Sequence, residues 1–227
     1  MLYIKKFTFY FFQENSYVVW DDSGICALID PGCEHDSERE QLHGFIASKG
    51  LKPGMILLTH AHLDHIYGVR EAMEKYDIPV YMDPKEQSSI DTFNKTFTDV
   101  GLHRPEKFDF TGVEDGQLLH FGNTDVRVLA TPGHSLGGVC WWFEKDKAIF
   151  TGDTLFAGSV GRTDNNCASY DDLMASLRGT LMQLDGETDV YPGHGPQTTI
   201  GMERASNPFI YEDYTTEDLL HASNEEF

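Results

Sequence analysis

Apolar positions in this chain fall into short runs that alternate with polar residues or stop at turn formers, a pattern of many short strands interleaved with a few helices. Strands are predicted over residues 2–9, 16–20 and 25–29, the last closed by Asp30-Pro31-Gly32. Asp21-Asp22-Ser23-Gly24 between the second and third makes them a hairpin. Residues 36–49 read as a helix with acidic residues in its first turn, Leu42, Phe45 and Ile46 on one face, and Gly50 as its stop. A short strand over 55–58, a helix over 66–76 and a strand over 79–82 follow, and residues 84–112 are less regular. Further strands are predicted over 117–121, 125–130, 139–143, 148–150 and 189–191. Leu173, Leu177, Leu181 and Leu184 recur at i, i+4, i+8 and i+11 and predict one helix. Thr199 is placed to cap a short helix starting at Ile200. This alternation of strands and helices is that of an α/β protein.

Composition narrows the picture. At 227 residues the chain is long enough for one sizeable core, and the expected division is a domain over 1–210 and a tail over 211–227. That tail carries six acidic residues and no lysine or arginine. With 17 basic against 37 acidic residues, a formal charge of -20, the chain is not expected to bind nucleic acid or an anionic membrane. A small-molecule substrate is the expected partner, with the protein a monomer or small homo-oligomer. Cys26, Cys33, Cys140 and Cys167 form no CxxC pair and are expected to be reduced. Lys5-Lys6 and the apolar run after it look like the start of a leader, but Gln13-Glu14-Asn15 break the run. No apolar stretch approaches the roughly 20 residues that span a bilayer, so a cytoplasmic location is expected.

Candidate chemistry sits at the ends of the predicted strands. Thr59-His60-Ala61-His62-Leu63-Asp64-His65 directly follows an apolar strand, where side chains two apart point the same way, so His60 and His62 can grip one ion. Asp64 and His65 lie where the chain turns into a helix and can swing to a second position. Three more segments share one grammar, an apolar strand, a glycine-containing turn and a ligand-competent residue: His134 after Pro132-Gly133, Asp153 after Gly152, and His194 after Pro192-Gly193. Sites in open α/β sheets gather at such strand ends.

This set resembles the metallo-β-lactamase superfamily over about residues 30–194. The resemblance implies an αββα sandwich of two mixed sheets flanked by helices. It also implies two divalent metal ions, zinc foremost, with iron or manganese as alternatives. By motif, His60, His62 and His134 hold the first ion, Asp64, His65 and His194 the second, and Asp153 bridges both. Asp30 is implied as an outer partner, accepting a hydrogen bond from a ligand histidine, and is equally a turn former.

Phe150-Thr151-Gly152-Asp153-Thr154-Leu155-Phe156 resembles the glyoxalase II group (hydroxyacylglutathione hydrolases). Thr198-Thr199-Ile200-Gly201, Glu203-Arg204 and Asn207-Pro208-Phe209 resemble its short, single-domain branch. The implied activity is thioester hydrolysis: bound metal lowers the pKa of water toward about 7, and the resulting hydroxide, oriented by Asp64, attacks the thioester carbonyl. Aspartate at 153, where one class of lactam-degrading members has cysteine, points away from antibiotic hydrolysis. Longer glyoxalase II enzymes add a basic C-terminal region that holds glutathione, whereas the sequence beyond Phe209 is acidic, so that clamp is not expected.

Gly161-Arg162-Thr163-Asp164 offers Arg162 to a substrate carboxylate or, as plainly, to Asp164. Persulfide dioxygenases, which use one iron and molecular oxygen, share the Gly-Arg-Thr-Asp run, and a metal-binding protein without catalysis is the third reading. The remaining histidines, His35, His43, His103, His120 and His221, lack strand-end context. Tyr67 and Tyr170 are expected to pack more than to line the site.

Overall fold

Residues 1–9, 11–93, 95, 99 and 101–211 are described by the structure, a computed structural model. The tail expected over 211–227 therefore lies, but for Tyr211, outside the described residues. Tyr3–Thr8 (β1), Asn15–Trp20 (β2), Ile25–Ile29 (β3), Lys52–Leu57 (β4), Val80–Met82 (β5) and Thr111–Gly112 (β6) form a six-stranded sheet in that order. Its first three strands are antiparallel and β3 to β6 run parallel. Leu118–Phe121 (β7), Thr124–Ala130 (β8), Val139–Phe143 (β9) and Ala148–Gly152 (β10) follow, then a hairpin of Leu155–Phe156 (β11) and Ser159–Val160 (β12). Asp189–Pro192 (β13) and Thr198–Thr199 (β14) complete a second six-stranded sheet, ordered β14-β13-β10-β9-β8-β7. Helices among the described residues include Asp36–Lys49 (α1), Leu63–Ile66 (α2), Val69–Tyr76 (α3), Tyr170–Gly179 (α4), Ile200–Ser206 (α5) and Pro208–Tyr211 (α6).

Strand periodicity builds the layers. Tyr17, Val19, Ala27, Ile29 and Leu57 of the first sheet meet Val126, Val128, Trp141, Phe143 and Phe150 of the second in one buried core. Their sequence neighbours face outward, as a period of two requires. Val18, Leu28 and Ile56 pack with Leu42 and Ile46 of α1 and Val69 and Ala72 of α3. Cys140, Ile149 and Val190 pack with Leu173 and Leu177 of α4 and Ile200 of α5. Strands apolar on both faces need cover on both, and the result is the αββα sandwich of the expected fold class. Trp141, Phe143 and Phe150 are buried between the sheets, and each such side chain stabilises by roughly 1.5–3 kcal/mol or more.

Local expectations held for α1, whose Gly50 adopts the left-handed conformation, and for the β2–β3 hairpin. Thr199 caps α5 by accepting from the Met202 N–H at 3.2 Å. Three expectations are corrected. The helix predicted over 66–76 is two pieces, α2 and α3, because the Gly68 N–H donates to Pro31 O at 2.8 Å and ties the break to the turn after β3. The leucine stripe is not one helix: α4 ends at Gly179, a poor helix former, and Leu181–Gln183 forms a separate tight turn, although Leu181 and Leu184 still reach the same core. The strand predicted over 55–58 begins at Lys52 and includes Pro53 and Gly54, which the alternation pattern does not favour.

Candidate metal centre

Strands β8 and β10 both run antiparallel to β9, and β13 runs parallel to β10, so the C-terminal ends of β8, β10 and β13 share one rim of the second sheet. That rim carries His134, Asp153 and His194. From the first sheet, β4 delivers the segment with His60, His62, Asp64 and His65. Cross-sheet bonds close the rim: the Val139 N–H donates to Thr59 O at 2.8 Å, and the Asn15 N–H to Gly193 O at 2.7 Å. Gly193 must lack a side chain, since a Cβ there would lie 2.3 Å from Asp153 Oδ1 and 2.7 Å from His65 Cε1.

All seven sequence-predicted ligand residues converge. Three groups have ligand-competent atoms within 4.8 Å of one another: His60, His62 and His134; Asp64, His65 and His194; and Asp30, His60 and His65, where Asp30 faces the Nδ1 side of both rings. Asp153 lies between the first two trios. Its Oδ2 is 4.0 Å from His60 Nε2, 3.5 Å from His134 Nε2 and 3.5 Å from His194 Nε2, and its Oδ1 is 3.4 Å from His65 Nε2. His194 Nε2 is also 3.4 Å from Asp64 Oδ2.

Neighbouring groups decide which nitrogen each imidazole offers. Asp30 Oδ1 accepts from the Thr59 N–H at 2.7 Å, and its Oδ2 takes both the Thr59 hydroxyl proton at 2.5 Å and His65 Nδ1 at 3.0 Å. With its own proton committed to Asp30, Thr59 Oγ1 is left to accept from His60 Nδ1 at 3.1 Å. His134 Nδ1 donates to Arg162 O at 2.9 Å. His60, His65 and His134 are therefore each protonated at Nδ1 and turn Nε2 toward Asp153. His62 comes in by its other nitrogen, with Nδ1 2.9 Å from His134 Nε2. Two imidazole lone pairs at that separation require a proton or a cation between them.

The donor set fits a metal. His60 Nε2, His65 Nε2 and Asp153 Oδ1 are buried with no hydrogen-bond partner among the described residues, an expensive arrangement unless a cation is the partner. Burial, reinforced by the neighbouring imidazoles, holds His60 and His62 well below the ordinary histidine range, which favours the neutral form that a metal needs. Burial acts the same way on His65 and His194, but Asp153 and Asp64 outweigh it, lifting His65 well above its usual value and His194 to about 10. Burial works against the charged form of Asp153 too, yet His194 and His65 hold it well below the usual carboxylate range. The carboxylates thus demand positive charge at this point, which a divalent cation supplies.

Of the remaining predicted residues, Asp30 makes the bonds to Thr59 and His65 given above and sits in the turn after β3 with φ 45°. Arg162 is paired with Asp164 by two bonds, Nε to Oδ1 at 2.6 Å and a terminal nitrogen to Oδ2 at 2.8 Å. Tyr67 is buried, its hydroxyl donating to His103 O. His43 bridges Tyr76 and Glu71 between α1 and α3, and His120 pairs with Asp125 on the surface. His221 lies outside the described residues. The cysteines are free and buried, and burial pushes the Cys33 thiol up to about 12. Among the described residues no helix is long and apolar enough to cross a membrane.

Sequence reasoning missed the supports on β2. Asn15 Nδ2 donates to Pro192 O at 3.0 Å and Gly195 O at 2.9 Å, and the Tyr17 hydroxyl to Pro192 O at 2.7 Å. Glu14, adjacent, forms a bridge with His194, and burial pushes its carboxyl well above the usual range. In sequence Glu14 and Asn15 read only as a polar break before the strand over 16–20, and Tyr17 as an ordinary strand residue.

Comparison with known proteins follows the same lines. The profile of the metallo-β-lactamase superfamily matches residues 9–194. Hydroxyacylglutathione hydrolase GloC of Haemophilus influenzae is 33% identical over 202 residues, covering 88% of this chain and 93% of its own. A crystal structure of TTHA1623 in a di-iron-bound form superposes with a TM-score of 0.80 at 39% identity, covering 90% of this chain and 99% of that one. The crystal structure of BLEG-1 B3 metallo-β-lactamase gives 0.78 at 34% identity, covering 92% and 100%. On profile, relatives, sandwich and strand-end site together, the chain belongs to the metallo-β-lactamase superfamily.

Proposed function

We propose that this protein is a metal-dependent thioester hydrolase of the glyoxalase II type, with His60, His62 and His134 holding one divalent ion, Asp64, His65 and His194 a second, and Asp153 bridging them. The observation that carries the reading is the pair of trios with the Asp153 carboxylate between them. When bound, such ions would ionise a water near neutral pH and polarise a carbonyl. Asp30, through Thr59 and directly, keeps the Nδ1 protons on His60 and His65, so their Nε2 lone pairs stay available. Asp64, whose side chain is 15% exposed, would orient that water as well as hold the second ion. A thiolate leaves without a strong general acid, because thiol pKa values lie near 8.5. Similarity to GloC supports this substrate class, and the absence of a cysteine at 153 favours it over lactam cleavage. Zinc is the first choice of metal; the di-iron form of TTHA1623 supports iron as a second.

Elemental analysis of the purified protein, paired with an anaerobic assay of S-lactoylglutathione and a simpler thioester, tests the proposal. Two ions per chain and release of free thiol without oxygen are expected. No turnover with zinc, manganese or iron would overturn it, and oxygen uptake with glutathione persulfide in a one-iron protein would put the dioxygenase reading in its place.

A further inference from the structure

Glu86 lies far in sequence from every ligand segment, yet its side chain is completely buried. Its Oε2 accepts from the Ala61 N–H at 2.7 Å and its Oε1 from the Gly137 N–H at 2.8 Å. Ala61 stands between His60 and His62, and Gly137 is in the loop that carries His134. One carboxylate therefore joins the two backbone segments that supply the three imidazoles of the first trio. The approach is close on both sides: a Cβ at Gly137 would lie 3.0 Å from Glu86 N and 3.1 Å from Asp83 Cβ. Asp83 in turn fixes the turn that presents Glu86, accepting from the Lys85 N–H at 2.8 Å.

Taking a carboxylate out of water costs several kcal/mol, which two backbone N–H groups only partly offset. Holding two loops together needs only a neutral acceptor. A buried negative charge is better explained where positive charge sits nearby, as it would beside an ion held by the first trio. We infer that Glu86 is a positioning residue for the first metal ion, setting the spacing of His60 and His62 from His134 and supplying negative charge behind that trio.

This inference rests on the two-ion reading, and the test separates them. Zinc and cobalt are titrated into wild-type, Glu86→Gln and Gly137→Ala proteins against a competing chelator, and the steps are assigned with His134→Ala and His194→Ala. Glu86→Gln keeps the shape but removes the charge and sets an amide NH2 against a backbone N–H. It is expected to weaken the first-trio ion at least tenfold and alter its cobalt absorption, while the second-trio ion binds as in wild type. Gly137→Ala keeps the charge but displaces the loop, and a smaller loss at the same trio is expected. Two ions at wild-type affinity in both variants, or equal weakening of both ions, would overturn the role of Glu86. Should Glu86→Gln fail to give a native circular-dichroism spectrum, Gly137→Ala is judged by the same criteria. Wild-type protein binding fewer than two ions would instead refute the two-ion reading itself.

Discussion

The two trios of the site are held in opposite ways. His60, His62 and His134 are almost entirely buried, and their supports are a buried carboxylate, a threonine hydroxyl and the Arg162 backbone carbonyl. In the other trio His65 is equally buried, but the side chains of Asp64 and His194 are 15% and 27% exposed. The loop bearing His194 is tethered to the opposite sheet, through Asn15 and Tyr17. One trio is thus a rigid floor, whereas the other is the open side, whose geometry depends on the two sheets keeping their relative position. Where solvent reaches these side chains a substrate can reach them too, so on the proposed reading the second trio is the side from which a substrate would approach.

Removing the group that both trios share breaks the comparison most severely. Asp153→Ala is expected to lose both ions and to cut thioester turnover by well over ~100-fold, beyond the range for outer partners alone. Metal stoichiometry and initial rates check this, and retention of either ion at wild-type affinity would deny the bridging role. A milder change separates the trios. Asn15→Ala deletes two side-chain hydrogen bonds to the Pro192–Gly195 loop, and about 1–2 kcal/mol of stability is expected to go with them. It should also weaken the second-trio ion by about tenfold while sparing the first, as chelator competition would measure. Loss at the first trio instead would reverse the assignment of supports.

The smallest effect is expected at the far end of β2. Asp21 there accepts from Asn123 N at 2.6 Å and Thr124 Oγ1 at 2.7 Å, pinning the β2–β3 turn to the β7–β8 turn. Burial alone would raise its pKa, but hydrogen bonds from Ser23, Thr124 and Asn123 prevail and lower it to about 2. A depressed carboxyl stabilises the fold above its unfolded value near 3.9 and loses that contribution as pH falls through about 2. Urea melts of wild type and Asp21→Asn should therefore differ by about 1–2 kcal/mol at pH 6 and converge toward pH 2. Metal affinity should be the same in both, because this pin lies at the end of the sandwich away from the ions.

The seven ligand residues were legible because each stands at a local landmark, an apolar strand running into a turn, and His60, His62, Asp64 and His65 share a single short segment. Helix α1 was legible for the same reason, with its acidic first turn and apolar face within fourteen residues and the glycine stop directly after them. The leucine stripe misled because Leu181 and Leu184 face the same core as Leu173 and Leu177 without sharing their helix. Arg162 stood equally between a substrate and Asp164 in the sequence, and the fold pairs it with Asp164.

By itself, then, the sequence marked the short strands and the seven candidate ligands at their ends, and its resemblance to the superfamily implied the layered sandwich. Only the tertiary structure decided what holds those ligands in place. Glu86 meets Ala61 and Gly137, and Asn15 meets Pro192, across long sequence separations. A glutamate after Asp83-Pro84-Lys85, or an asparagine opening a strand, carries no local mark of a partner that far along the chain. Their hydrogen bonds exist only once packing of the sheets has removed water from both ends, and it is folding that turns these ordinary polar residues into supports for the site.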